Sequence, residues 1–126
     1  MKLLLARPPS RKVAILTPPL GLGYLAAVAR NAGHQVAIFD GPGLHGGLDA
    51  LETELRRFRP DVLGVQLFSC DQRAVERVLN LGRRWRSDLI TMIGGPHVNG
   101  EPTLAMARLP AADLGFQGEE IGRAHV

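Results

Sequence analysis

Short apolar runs alternate with amphipathic segments along the chain, and this alternation restricts the fold more than any other feature of the sequence. The apolar runs have the length of strands, whereas the segments between them repeat apolar residues at helical spacing. Five strands separated by helices are typical of a parallel sheet with helices on both faces. We therefore predict an α/β fold, a doubly wound five-stranded parallel sheet, in which ligands bind beyond the carboxyl ends of the strands.

The boundaries of the predicted elements follow from turn residues and helix caps. The predicted strands cover residues 3–6, 36–39, 62–67, 89–93 and 113–116. The first predicted helix covers residues 20–31 and is ended by Gly33, and the second covers residues 48–58 and ends before Pro60. The third predicted helix is capped by residues 69–72 and includes Arg86, and a short fourth helix covers residues 102–108. Tyr24 and Trp85 are expected in the core.

Composition excludes several classes of protein. The chain has 126 residues, enough for one domain with a core, and its hydrophobic fraction of 45% is ordinary. No apolar run is long enough to span a membrane, and the apolar start at residues 3–6 is cut off by Arg7, which argues against a signal peptide. The single cysteine, Cys70, excludes an internal disulfide and an iron–sulfur cluster held by this segment alone. We expect a cytoplasmic setting.

The basic residues indicate a solvated surface rather than a nucleic-acid site. The net charge is only +3, and several arginines lie in the predicted third helix, opposite its apolar residues Val75, Val78 and Leu79. No aromatic residues are interleaved with these arginines to stack against bases. We predict no nucleic-acid partner.

Residues 18–40 allow two interpretations. In the first, a strand over 13–16 precedes a dinucleotide fingerprint formed by Gly21, Gly23 and Ala26, and Asp40 is the acid that binds the ribose. The prolines in residues 17–20 weaken this interpretation, because they remove N–H donors where a phosphate would bind. In the second, the glycines lie inside a helix that starts after the prolines. Helical glycine is unfavourable, so this arrangement suggests that something bulky packs against that face.

Four segments together resemble a known family: residues 18–40, PDVLGVQLFS at 60–69, MIGGPHVNGEPTLAM at 92–106 and ADLGFQGEE at 112–120. In order and spacing, residues 1–120 are similar to the N-terminal cobalamin-binding domain of cobalamin-dependent radical SAM proteins. The resemblance implies a flavodoxin-like or Rossmann-like cobalamin-binding domain.

The resemblance also implies which residues contact cobalamin. They fall on the opening helix, the end of the third strand, the loop after the fourth strand and the closing Gly-Glu segment. They are Pro19, Leu20, Gly21 and Tyr24; Gln66, Leu67 and Ser69; Gly94, Gly95, Pro96 and His97; and Gly118 and Glu119.

One departure from related proteins bears on the cobalt. Cobalamin methyltransferases that coordinate cobalt through a histidine carry Asp-x-His-x-x-Gly after the first strand, whereas residues 7–19 of this chain contain no histidine. We therefore expect no protein ligand to the metal, and the resemblance then implies a cobalt suited to accepting and passing on a methyl group.

The resemblance implies a larger enzyme than this segment. In it, a radical SAM catalytic domain would bind S-adenosylmethionine and a [4Fe-4S] cluster, and the reaction would be of the methyltransferase type; this segment alone would catalyse nothing. The alternative function is a dinucleotide-binding (NAD or FAD) oxidoreductase domain. Residues 121–126 look like translated sequencing adapter, so we assign the domain to residues 1–120 and treat the tail as non-native.

Overall fold

A computed structural model of the chain describes residues 1–8, 20–41, 47–66, 72–94, 112–116 and 124–125. The strands are β1 (Lys2–Arg7), β2 (Gln35–Asp40), β3 (Val62–Gln66), β4 (Ile90–Gly94), β5 (Leu114–Phe116) and β6 (Ala124–His125). The helices are α1 (Leu20–Asn31), α2 (Leu48–Phe58) and α3 (Gln72–Trp85). Among these described residues, no helix is long and apolar enough to cross a membrane.

The sheet has the order β2-β1-β3-β4-β5-β6, with β1 between the edge strand β2 and β3. The first five strands are parallel, which confirms the predicted doubly wound sheet. The two-residue strand β6 pairs antiparallel with β5 and was not predicted, because two residues carry no periodic signal. Right-handed crossovers place α1 on one face of the sheet and α2 and α3 on the other.

The core lies between the sheet and the pair α2–α3. Alternate strand residues point toward these helices, as the two-residue period of a strand requires. The fully buried large side chains of the core are Leu4, Leu51, Leu55, Leu63, Val75, Val78, Leu79, Leu89 and Ile93. The other face of the sheet is the α1 face, and it carries Leu3, Leu5 and Arg7 of β1.

The predicted boundaries of α1 and α2 match the observed ones, and Gly33 ends α1 with a positive φ of 94°. The strands differ by one or two residues at their ends, and α3 ends at Trp85 instead of including Arg86. Trp85 packs against the core as expected. The expectation for Tyr24 was wrong: its side chain is 61% exposed. The predicted cap at 69–71 and helix 102–108 lie outside the described residues.

A polar cluster joins β5 to β4. The Thr91 N–H donates to Oδ2 of Asp113 at 2.9 Å, and the Asp113 N–H donates to Oγ1 of Thr91 at 3.0 Å. Arg83 of α3 also donates to the Asp113 carboxylate. Partial burial alone would raise the pKa of Asp113, but the hydrogen bonds from Thr91 and Arg83 outweigh it, and the pKa lies below its ordinary value.

We expect Asp113→Asn to destabilise the fold by about 1 kcal/mol at pH 7, a modest value because the carboxylate is partly exposed to screening solvent. A carboxyl group with a lowered pKa in the folded state stabilises above its unfolded pKa of 3.8, and this contribution is lost as the pH falls through the folded value. Urea unfolding of both proteins should therefore show a gap at pH 7 that narrows below about pH 4.

Asp88→Asn is the matched control, because Asp88 also accepts hydrogen bonds from an arginine, Arg86, but its side chain is 72% exposed. Its unfolding midpoint should stay close to that of the wild type. Equal effects of the two substitutions would contradict the structural role given to Asp113.

Candidate functional site

The last residues of four strands form one row at the carboxyl edge of the sheet. Arg7 pairs in register with Asp40, and Gln66 with Gly94. Because Ala6 pairs with Val65, Arg7 and Gln66 end adjacent strands on the same face. We call Asp40, Arg7, Gln66 and Gly94 the edge row. It lies on the α1 face, and its centre is the gap between β1 and β3, where the direction of strand order reverses and ligands of such sheets bind.

Arg7 and Asp40 form a buried, bidentate ion pair. Nε of Arg7 donates to Oδ1 of Asp40 at 2.7 Å, and Nη2 donates to Oδ2 at 2.9 Å. The side chains are only 10% and 12% exposed. Two parallel N–H···O bonds fix the plane of the guanidinium, so the pair is a rigid polar feature at the β1–β2 side of the edge row.

Beneath the edge row, the next inward residues of the same strands form an apolar floor. These residues are Ile38, Leu5, Gly64 and Met92, and we call them the floor row. Ile38, Leu5 and Met92 are only partly buried. A Cβ built on Gly64 would lie 3.0 Å from Cδ2 of Leu5, so the absence of a side chain on β3 lets Leu5 extend over that strand. The edge row and floor row together offer polar groups above an apolar surface.

The start of α1 lies at the same end of the sheet. Gly21 and Gly23 lie within the helix, as the second interpretation of residues 18–40 expected. Gly23 is exposed, and a Cβ built there would have no atom within 4 Å in the described part of the chain. Tyr24 beside it is exposed as well. Among the described residues, no atom therefore packs closely on α1 at Gly23.

Only some of the predicted site residues can be located. Leu20, Gly21 and Tyr24 lie in the first turns of α1, and Gln66 and Gly94 lie next to each other in the edge row. The remaining predicted residues are Pro19, Leu67, Ser69, Gly95, Pro96, His97, Gly118 and Glu119, which fall outside the described residues. The located residues are thus on two elements that meet the carboxyl edge of the sheet.

Sequence reasoning missed the pairing of Arg7 with Asp40. Asp40 was considered as a ribose ligand in the dinucleotide interpretation, but both of its oxygens accept hydrogen bonds from Arg7. Opposite charges at the last residues of two adjacent parallel strands were the available signal. It could be used only once the register of β1 and β2 was known.

The described residues contain no cluster of His, Cys, Asp or Glu that could hold a metal ion. His34 lies at the opposite, amino edge of the sheet, where its Nδ1 is 3.4 Å from the amino terminus. It is therefore remote from the edge row.

Comparison with known proteins gives consistent results. A family model described as "B12 binding domain" matches residues 8–124. An uncharacterized methyltransferase of Pyrococcus horikoshii is 32% identical over 94% of this chain, which spans 27% of that protein. The cytidylyl-2-hydroxyethylphosphonate methyltransferase of Streptomyces wedmorensis is 32% identical over 82% of this chain, which spans 22% of it. This chain therefore corresponds to about a quarter of each curated relative.

A solved structure also shares the fold. The cobalamin-dependent S-adenosylmethionine radical enzyme OxsB, with aqua-cobalamin and S-adenosylmethionine bound, superposes with a TM-score of 0.77 at 18% identity. The match covers 94% of this chain and 17% of the enzyme. At this identity the likeness concerns the fold alone.

The open space at Gly23 makes a prediction about stability. Gly23→Ala should raise the free energy of unfolding by about 0.5–1 kcal/mol, because alanine is the better helix former and its Cβ meets no described atom. Gly82→Ala in α3 is the matched control: its Cβ would lie 2.9 Å from both Leu63 and Leu89, so the same gain should not appear. Urea unfolding of both variants would measure this, and a larger gain at Gly82 would contradict the packing described.

Proposed function

The chain belongs to the B12 binding domain family, whose model covers nearly all of it, and from this premise we propose that the carboxyl edge of its sheet holds cobalamin. The observation that carries the proposal is the juxtaposition of the edge row, the floor row and the open first turns of α1. Cobalamin combines a broad apolar ring system with polar carboxamides at its rim. An apolar floor bordered by polar side chains and glycines fits such a molecule.

Each located residue has a role in the proposal. Gln66, half-buried at the end of β3, has an amide that can both donate to and accept from a carboxamide. Gly94 beside it has no side chain, so a ligand can approach the backbone of β4 closely. Leu20, Gly21 and Tyr24 on α1 would form the wall facing the ring. We assign the remaining contacts to Pro19, Leu67, Ser69, Gly95, Pro96, His97, Gly118 and Glu119 on the basis of the family resemblance.

Cobalamin, when bound, supplies a cobalt centre that can carry a methyl group. The protein's own part would be to bind and orient the cofactor through the residues named above. We propose that no histidine of this segment coordinates the metal, because residues 7–19 contain none and His34 lies at the far edge of the sheet.

We further propose that the whole protein is a methyltransferase of the cobalamin-dependent radical SAM type. Both curated relatives are named methyltransferases, and the fold matches 17% of the chain of a cobalamin-dependent radical SAM enzyme. A catalytic domain beyond this segment would then bind S-adenosylmethionine and a [4Fe-4S] cluster. A dinucleotide-binding function is not favoured, since Gly21 and Gly23 lie inside α1 and Asp40 is paired with Arg7.

Titration of the 126-residue chain with hydroxocobalamin should give a saturable change in visible absorbance, whereas titration with NADH should leave the NADH fluorescence unchanged. The physical reason is that the described edge has a floor for a ring system but lacks a glycine turn for a pyrophosphate. Saturable binding of NADH without retention of cobalamin would overturn the proposal.

Gly23→Leu should weaken hydroxocobalamin binding by about tenfold or more, because its side chain would occupy the space proposed for the ring. Asn31→Leu at the other end of α1 is the control and should bind like the wild type.

His97→Ala should leave the cobalt absorption spectrum unchanged. Loss of a histidine-ligand signature in that variant would contradict the proposed absence of a protein ligand.

A further inference from the structure

The Arg7–Asp40 pair joins the ends of the edge strand β2 and its neighbour β1. Both side chains are about nine-tenths buried, at 10% and 12% exposure. A buried ion pair generally contributes little net stability, because removing two charges from water offsets their mutual attraction, and apolar residues of similar size often do as well. Stability alone therefore does not account for an arginine at this position.

Among the described residues, the hydrogen bonds of the pair use two of the three guanidinium nitrogens of Arg7. Nε and Nη2 of Arg7 donate to the two oxygens of Asp40. For Nη1, no acceptor is found among the residues that the structure describes. A buried donor without a partner is costly, so a donor fixed in position at a ligand-binding edge is suited to an acceptor that arrives with the ligand.

The location of Arg7 brings this donor to the proposed site. Arg7 ends β1, the strand beside the gap where strand order reverses, and its side chain is on the same face as Gln66 and α1. Asp40 holds the guanidinium plane by two bonds, so the remaining nitrogen has little freedom. The arginine is thereby oriented before any ligand binds, which lowers the entropy lost on binding.

The charge of the pair indicates the chemistry of the acceptor. Asp40 already neutralises Arg7, so the pair has no net charge to attract an anion, yet the remaining N–H groups can still donate. In cobalamin, the corrin ring is surrounded by neutral carboxamides whose oxygens accept hydrogen bonds, whereas the one anionic group, the phosphodiester, lies in the nucleotide tail. A neutralised donor matches the carboxamides.

We propose that Arg7, held by Asp40, is a specificity-determining residue of the cobalamin site, whose Nη1 donates a hydrogen bond to a carboxamide oxygen of the corrin rim. This inference rests on the proposed function and adds a contact that the family resemblance did not assign. It predicts that Arg7 contributes to binding of any corrinoid with these carboxamides, with or without the nucleotide tail.

The test is a titration, followed by visible absorbance, with two probes: hydroxocobalamin, and aquocobinamide, which keeps the ring carboxamides but lacks the tail. In Arg7→Met/Asp40→Leu the donor is gone and the buried pair is replaced by apolar side chains, so the fold should be retained. We expect both dissociation constants to rise by about tenfold, the size of one hydrogen bond to a charged group.

Two further variants keep the result decisive. Arg7→Lys retains the charge beside Asp40 but loses the planar guanidinium. It should therefore show the same loss of affinity for both probes. If thermal unfolding shows the double variant to be unstable, Arg7→Lys tests the inference in its place. Arg30→Met is the matched control: Arg30 donates to the carbonyl of Val36 at the amino edge of the sheet, and its loss should leave both affinities unchanged.

Unchanged affinities in a folded Arg7 variant would overturn the inference and leave the proposed function intact. A loss confined to hydroxocobalamin would also overturn it, because that result would place the acceptor on the nucleotide tail. Failure of the wild-type chain to bind either probe would instead overturn the proposed function.

Discussion

The parallel register of β1 with its two neighbours is the constraint on which the rest of the structure depends. It aligns Leu4 and Ala6 with the apolar residues of β2 and β3 that face α2 and α3, and it sets Arg7 against Asp40. A slip of one residue would turn the apolar set of β1 away from the core and bury the charge of Asp40 without its partner. The core and the ion pair thus select the same register, and this register brings the last residues of four strands into one row.

The two faces of the sheet are buried to different extents in the described part of the chain. Leu4, Leu63 and Ile93 are fully buried under α2 and α3, whereas Leu5 and Met92 on the α1 face are only partly buried. An all-parallel sheet normally has both faces covered. In the part of the chain that the structure describes, α1 contacts β1 and β2 on its face. The apolar surface beyond it, over β3 and β4, is continuous with the edge row, and it is the surface to which the proposed function assigns the ring system.

Sequence patterns were sufficient to predict the helix ends that depend on local chemistry. The ends of α1 and α2 were predicted correctly, because Gly33 and the sequence around Pro60 end helices by backbone conformation alone. Strand ends were less accurate, since Lys2, Gln35 and Gly94 extend the ladders by one residue although their side chains give no strand signal. Tyr24 was misplaced because an aromatic residue in an apolar helix is usually buried, and only packing reveals which side of the helix has no neighbour.

The candidate site was partly predictable for the same reason. Gln66 and Gly94 were identified through resemblance to a family, and the sheet brings them together. The pairing of Arg7 with Asp40 spans 33 residues and depends on strand order and register, which no local pattern contains. That pairing also bears on the two interpretations of residues 18–40. With both oxygens bound to Arg7, the Asp40 carboxylate cannot accept the two hydroxyl groups of a ribose without breaking a buried ion pair. The interaction that disfavours a dinucleotide is therefore the same one that, in the proposed site, orients Arg7 toward a corrinoid.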